Sequence, residues 1–185
     1  GDYLKRLQKS DASVYSFASS DKERVTKSID KEEICAIGHH TIVTREQVQM
    51  YTKFYEITYD KTLSEKKAIA YAKERNALYV AAMQNGYQVT DEQVKAYVEE
   101  LKQNLDGIWT KEQKEKLLSG FASEDDYWAF EQKVYRIDLP IQNYVRNKEN
   151  EFNRKNESGQ TWDEAFKTLK QNLVDEQQYK DSSSY

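Results

Sequence analysis

The stretch from Lys66 to Leu105, KKAIAYAKERNALYVAAMQNGYQVTDEQVKAYVEELKQNL, constrains the fold more than any other. Ile69, Ala72, Asn76, Tyr79 and Met83 recur at 3- and 4-residue steps, which puts them on one stripe of a helix. Asn85-Gly86 should stop that helix, because glycine enters the left-handed conformation at a C-terminus without steric cost. Thr90 should cap the next helix, with Gln93 reaching back to it in a capping box. Val94, Tyr97, Val98, Leu101 and Leu105 form the second stripe. Two apolar stripes joined by so short a link predict a helical hairpin.

The same punctuation recurs along the chain. Thr44/Gln47, Thr62/Glu65, Thr90/Gln93, Thr110/Gln113, Ser123/Asp126 and Thr161/Glu164 each place a hydroxyl residue three before an acid or amide, at the mouth of an amphipathic segment. They predict helices over Thr44–Ile57, Leu63–Asn85, Asp91–Leu105, Lys111–Ser119, Glu124–Phe152 and Trp162–Gln178. The fifth carries Tyr127, Phe130, Val134, Ile137, Ile141, Tyr144 and Val145 on one face, and Pro140 inside it should kink it. The last carries Trp162, Phe166, Leu169 and Leu173. Ser20/Glu23 suggests a further short helix over Lys22–Ser28, and Tyr3, Leu4 and Leu7 could share a face of another. Asp11–Asp21 reads as loop. Glu33–Val43, EICAIGHHTIV, is the one β signal: two β-branched runs flank Gly38-His39-His40, predicting a hairpin or extended arm that must lie on something else. Asn153–Gln160 reads as a polar linker and Asp181–Tyr185 as a frayed tail. The expected class is mainly α, with a short β arm near residues 34–43.

Composition narrows the function. Leu, Ile, Val and Phe supply only about 20% of the residues, near the range where disorder competes. The net charge of −4 and the periodic placement of apolar residues argue for a folded chain. The 14 tyrosines carry part of the burial, with their hydroxyls free to reach water. The 28 basic and 32 acidic side chains are interleaved, so no nucleic-acid footprint is present. No apolar run approaches the ~20 residues that span a bilayer. No signal peptide is visible, and Gly1 is an unusual start, so the chain reads as a mature or trimmed form. Cys35, the single cysteine, excludes an intrachain disulfide.

No catalytic constellation is present: there is no Gly-rich phosphate loop, no Cys-x-x-Cys and no Gly-x-Ser-x-Gly elbow. The adjacent rings of His39 and His40 should diverge on a strand, which argues for a turn or exposed pair rather than a metal site. Cys35 fits a small buried hydrophobe better than a nucleophile. What remains is aromatic surface. Tyr51, Phe54, Tyr55 and Tyr59 group on one helix, and Trp109, Phe121, Tyr127 and Trp128 around another segment. Together with Tyr79 and Met83 they either fill a leucine-poor core or line an apolar groove for peptide segments. Trp128, off the Tyr127–Phe130–Val134 stripe, is the strongest groove candidate.

The order of these features resembles the N-terminal chaperone domain of the SurA/PrsA family of extracytoplasmic foldases, related in shape to the trigger factor chaperone module. The resemblance is carried by the β arm, the long helix ending in Ala82-Met-Gln-Asn-Gly86-Tyr-Gln-Val89-Thr90-Asp91-Glu92-Gln93-Val94, the small helix around Phe121-Ala-Ser123-Glu-Asp-Asp-Tyr127, and the long helix after it. It implies a helical core over residues 34–152, preceded by an extension over 1–33, and a returning C-terminal helix over 161–180. Two features depart from the family pattern. The arm carries Gly38-His39-His40 where members often have Asn-Gly. The position where many members insert a parvulin prolyl-isomerase domain holds only residues 153–160. No enzymatic activity is therefore expected, and no cofactor. The implied role is ATP-independent binding of unfolded or extended segments of exported proteins, in the cell envelope or secreted. Any lipid anchor would lie before Gly1. The alternative is a non-catalytic adaptor that binds one fixed partner.

Overall fold

The computed structural model describes residues 12–155 and 159–182. The expected helical face of Tyr3, Leu4 and Leu7, the middle of the 153–160 linker and the last three residues of the tail lie outside them. The described chain is mainly helical, with seven α-helices and a small antiparallel sheet.

Residues 12–33 begin with short 3-10 turns at Ala12–Val14 and Ser19–Asp21, then α1 (Lys22–Lys27) and a third turn at Lys31–Glu33. Ser20 lies inside a 3-10 turn and does not cap α1, whose first turn has no side-chain cap. This segment is part of the body: Tyr15, Phe17 and Val25 are buried. Strands β1 (Ile34–Ile37) and β2 (Ile42–Thr44) pair antiparallel around the Gly38–Thr41 turn.

Helix α2 spans Arg45–Tyr59 and α3 Glu65–Gln84. Helix α4 covers Asp91–Asp106, α5 Lys111–Leu118, α6 Glu124–Lys155 and α7 Trp162–Gln177. The capping boxes at Thr90, Thr110 and Thr161 are complete in both directions. Thr44 caps α2, but the Gln47 side chain turns inward to exchange hydrogen bonds with Asn76, which also donates to the Ile42 carbonyl at 3.2 Å. The cap of α3 is Ser64 rather than Thr62. Helix α3 ends as the Asn85-Gly86 pair requires: Gly86 sits at φ +83°, its N–H reaches Met83 and that of Tyr87 reaches Ala82. Pro140 is buried within α6, which runs unbroken through it. Helix α6 continues to Lys155, so it takes up the first part of the expected linker.

Helices α3 and α4 do not form the expected hairpin. Both pack instead on α6, and α7 and α2 pack on α3. The reason lies in α3, which is buried all around its second half, from Asn76 to Ala82, and so takes neighbours on every side. One core joins the sheet to α2, α3 and α6 through Cys35, Val43, Tyr51, Ala72 and Phe130. A second joins α3, α6 and α7 through Leu78, Ile137, Ile141 and Phe166. A third, through Val94, Val98 and Trp128, joins α4 to the start of α6.

The tail is not frayed where it is described. Strand β3 (Lys180–Asp181) adds to the free edge of β1, giving the order β2-β1-β3. Tyr179 donates its hydroxyl to the Lys73 carbonyl at 2.7 Å, and Lys73 pairs with Asp181 at 2.5 Å.

Candidate functional site

The C-terminal end of α2, helix α5 and the first turns of α6 enclose a cleft of about 650 Å3. Local sequence sets its edges. Helix α2 stops at Asp60, held left-handed at φ +54°, a conformation that a short polar side chain tolerates. Gly107-Ile108-Trp109 turns the chain from α4 into the capping box of α5, and the Trp109 N–H reaches back to Leu105 at 2.9 Å. Ser119-Gly120-Phe121 then leads into α6.

Ile57, Trp109, Leu117 and Tyr127 give the cleft apolar walls. Charged residues edge it: Asp60 pairs with Lys116 at 2.7 Å, and Lys53 donates to the Gly120 carbonyl at 3.0 Å with its Nζ 4.1 Å above the Phe121 ring. Burial and the nearby Glu56 pull the Lys53 ammonium in opposite directions, burial prevailing and lowering its pKa.

Glu131 also lines the cleft, although it is only 5% exposed. The Tyr127 hydroxyl donates to its Oε1 at 2.6 Å, while Oε2 is buried without a hydrogen-bond partner. Burial raises its pKa to about 7; the Tyr127 hydrogen bond lowers it, and the charge of Asp138 raises it further. Burial, followed by the Glu131 charge, lifts the Tyr127 hydroxyl well above the usual tyrosine range.

A polar seam runs from Glu131 along α6. Asp138 accepts from Arg75 of α3 at 2.6 Å, with both side chains mostly buried. Burial works against the Arg75 charge and Asp138 more than offsets it. Tyrosines surround the seam: Tyr51 meets Tyr71 edge-on at 5.0 Å, and Tyr97 meets Tyr135 at 4.9 Å. These groups are coupled electrostatically. Tyr51 and Tyr71 feel Asp138 and Arg75, and Tyr135 feels Glu131 and Asp138.

The ten aromatic and methionine candidates do not make one groove. Trp109, Phe121 and Tyr127 come together, with Tyr127 5.3 Å from Phe121 and 6.4 Å from Trp109. Phe54 packs on the core, and Tyr55 pairs with the exposed Tyr59 at 4.8 Å. Tyr51 is buried beneath Tyr71. Tyr79 and Met83 lie elsewhere, beside Pro140 and Arg136 in a smaller depression of about 290 Å3. Trp128 is core, not a groove anchor: it is buried against Val94 and Val98 because α4 covers the face of α6 that its position off the main stripe would otherwise leave open.

The sequence reading misses Glu131, Asp138, Arg75, Tyr71 and Tyr135, and takes Tyr97 only as a position of the second apolar stripe. A signal existed. Tyr127, Glu131, Tyr135 and Asp138 follow one another at helical steps, which aligns two carboxyls with two tyrosines on one face, and Tyr71-Arg75 does the same on α3.

His39 and His40 are structural. Their turn is clamped by the end of α7: the Gln177 carbonyl accepts from the His39 N–H, and its side chain accepts from the His40 N–H. The His40 ring bonds the Phe17 carbonyl. Among the described residues, no group of three or more His, Cys, Asp or Glu side chains is placed to hold a metal ion. Nor is any helix there long and apolar enough to cross a membrane. Comparison with family models, with curated proteins and with solved structures found no match for this chain.

Proposed function

We propose that this chain is an ATP-independent chaperone-like domain that binds unfolded or extended segments of exported proteins outside the cytoplasm. The observation that carries the reading is the cleft between α2, α5 and α6, whose walls are Ile57, Trp109, Leu117 and Tyr127. Its size suits a few side chains of an extended segment. Tyrosine and tryptophan offer large contact area with few torsions to immobilise, so they hold varied sequences at low entropic cost. The SurA/PrsA-like order of helices in the sequence supports the export-linked role. A cleft open on one side gives weak, tolerant binding, which suits transient holding of clients.

The test mixes the folded protein with a chemically unfolded client, without ATP, beside an inert protein of similar size. Suppression of client aggregation near stoichiometric ratios is expected, and Trp109→Ala should weaken it while circular dichroism shows the variant folded. A folded protein without effect on any generic client would overturn the reading in favour of a fixed-partner adaptor.

A further inference from the structure

We propose that the cleft selects segments carrying a lysine or arginine, whose cationic head pairs with the Glu131 carboxylate while its aliphatic stem lies against Trp109 and Tyr127. The inference rests on the peptide-binding reading and names the class of segment it favours.

Glu131 is the feature that apolar binding does not explain. A cleft for greasy side chains needs no carboxyl in its lining, and a buried carboxylate oxygen without a partner is costly. Tyr127 fixes Oε1, which leaves Oε2 as the atom with unused bonding capacity. Neighbouring cations do not supply the missing donor. Lys116 is paired with Asp60, and Lys53 is held on the Gly120 carbonyl and the Phe121 ring. With Glu131 ionised, the lining carries two lysines (Lys53, Lys116) against three carboxyls (Glu56, Asp60, Glu131), a surplus of one negative charge. An incoming guanidinium or ammonium satisfies the orphaned oxygen, and the cost of burying the carboxyl has already been met by folding. Aromatic walls suit such a ligand, because a cation is attracted to ring faces and its methylene stem packs on them. A neutral or acidic residue gains nothing from Glu131.

The pairing implies linkage to protons. Lys53 and Glu56 from α2 and Lys116 from α5 line the cleft with Glu131, and Tyr127, Tyr135 and Asp138 couple to it along its own helix, Asp138 being the partner of Arg75 from α3. Burial raises the Glu131 pKa to about 7. A cation binds only the ionised carboxyl, so binding to protein at lower pH must first release its proton. Affinity for a basic segment should therefore rise about tenfold between roughly pH 6 and pH 8, and that for a neutral segment should stay level.

Labelled extended peptides, identical except for a central arginine, norleucine or glutamate, are titrated against the full chain by fluorescence anisotropy. At pH 8 the arginine peptide is expected to bind about tenfold tighter than the norleucine peptide. The ratio should fall to about one in Glu131→Gln, which keeps the shape of the side chain. The pH series on the wild-type protein tests the same point without any variant. Equal binding of all three peptides, an arginine preference that survives Glu131→Gln, or a flat pH series would each overturn the selectivity and leave the peptide-binding reading standing. Failure of every peptide to bind would remove both.

Discussion

Glu131 ties the site to the stability of the fold, and the sign of its effect is fixed by its environment. Its pKa rises from the ordinary 4.5 to about 7 on folding, with burial as the main cause. Below about pH 4.5 the group is protonated in both states and contributes nothing. As pH rises through the window from 4.5 to 7 the folded protein must hold a proton that the unfolded chain has lost, so stability falls, by up to about 3 kcal/mol above pH 7. Urea midpoints should decline across that window in the wild type. In Glu131→Gln the decline should flatten, with the variant more stable than the wild type at pH 8. An unchanged slope would mean that the carboxyl reaches water. Gly38 is a second sensitive position, for reasons of space rather than charge. A Cβ there would stand 2.7 Å from the Gln177 side-chain oxygen and 3.1 Å from the Tyr179 ring. Gln177 cannot withdraw without releasing the His40 N–H that it holds at 2.9 Å. Gly38→Ala should cost about 1–3 kcal/mol in thermal or urea unfolding. Trp128→Ala should cost about 3–5 kcal/mol, the range for emptying a core aromatic site. A loss under 1 kcal/mol would return Trp128 to the surface and restore its candidacy as a peptide anchor.

Helix ends were the most legible part of this chain, because a cap is a bargain struck within four residues. Thr90 shows the case in full: its hydroxyl accepts from the Gln93 N–H at 3.1 Å, and the Gln93 side chain accepts from the Thr90 N–H at 2.8 Å. Thr90→Ala should lower stability by about 1 kcal/mol, measured by urea unfolding, with the far-ultraviolet spectrum unchanged. The misreadings have one cause, competition from residues far away in sequence. Gln47 had the right spacing for a box with Thr44, but Asn76 offers its amide two bonds in a dry interior. The hairpin of α3 and α4 failed for the same reason. A stripe shows that a helix will be covered, not by which partner, and α3 meets α6, α7 and α2 before it meets α4. Strand β3 is two charged residues, Lys180 and Asp181, with no alternation to reveal it; the edge of β1 creates it. The candidate site was half legible on the same terms. Trp109, Phe121 and Tyr127 are close in sequence and meet in space, whereas Glu131 looked like one more charge on a helix rich in them.

The end of the chain closes the fold and returns to its beginning. Helix α7 packs along α3, and its last residues grip the β1–β2 turn: Gln177 holds both histidine N–H groups, and the Gln178 side chain bonds the His39 ring at 3.2 Å. Beyond it, Tyr179 and Asp181 tie the sheet to Lys73 of α3, and Ser182 donates to the Cys35 carbonyl at 3.0 Å. The last stretch is therefore a brace across the sheet and the central helix. Deleting residues 160–185 removes the cover of Leu78, Ile137 and Ile141 and reduces the sheet to a two-stranded hairpin, which is marginal in water. The truncated chain should keep much of its helical far-ultraviolet signal, because α4 and α5 keep their capping boxes and α6 keeps its packing on α3 and α4. It should lose near-ultraviolet structure and bind a hydrophobic dye, the signature of a compact state without fixed packing. Cooperative melting with an intact near-ultraviolet spectrum would instead make α7 a dispensable appendage. The α2–α5–α6 cleft could then be studied in a smaller protein, since none of its walls comes from the deleted residues.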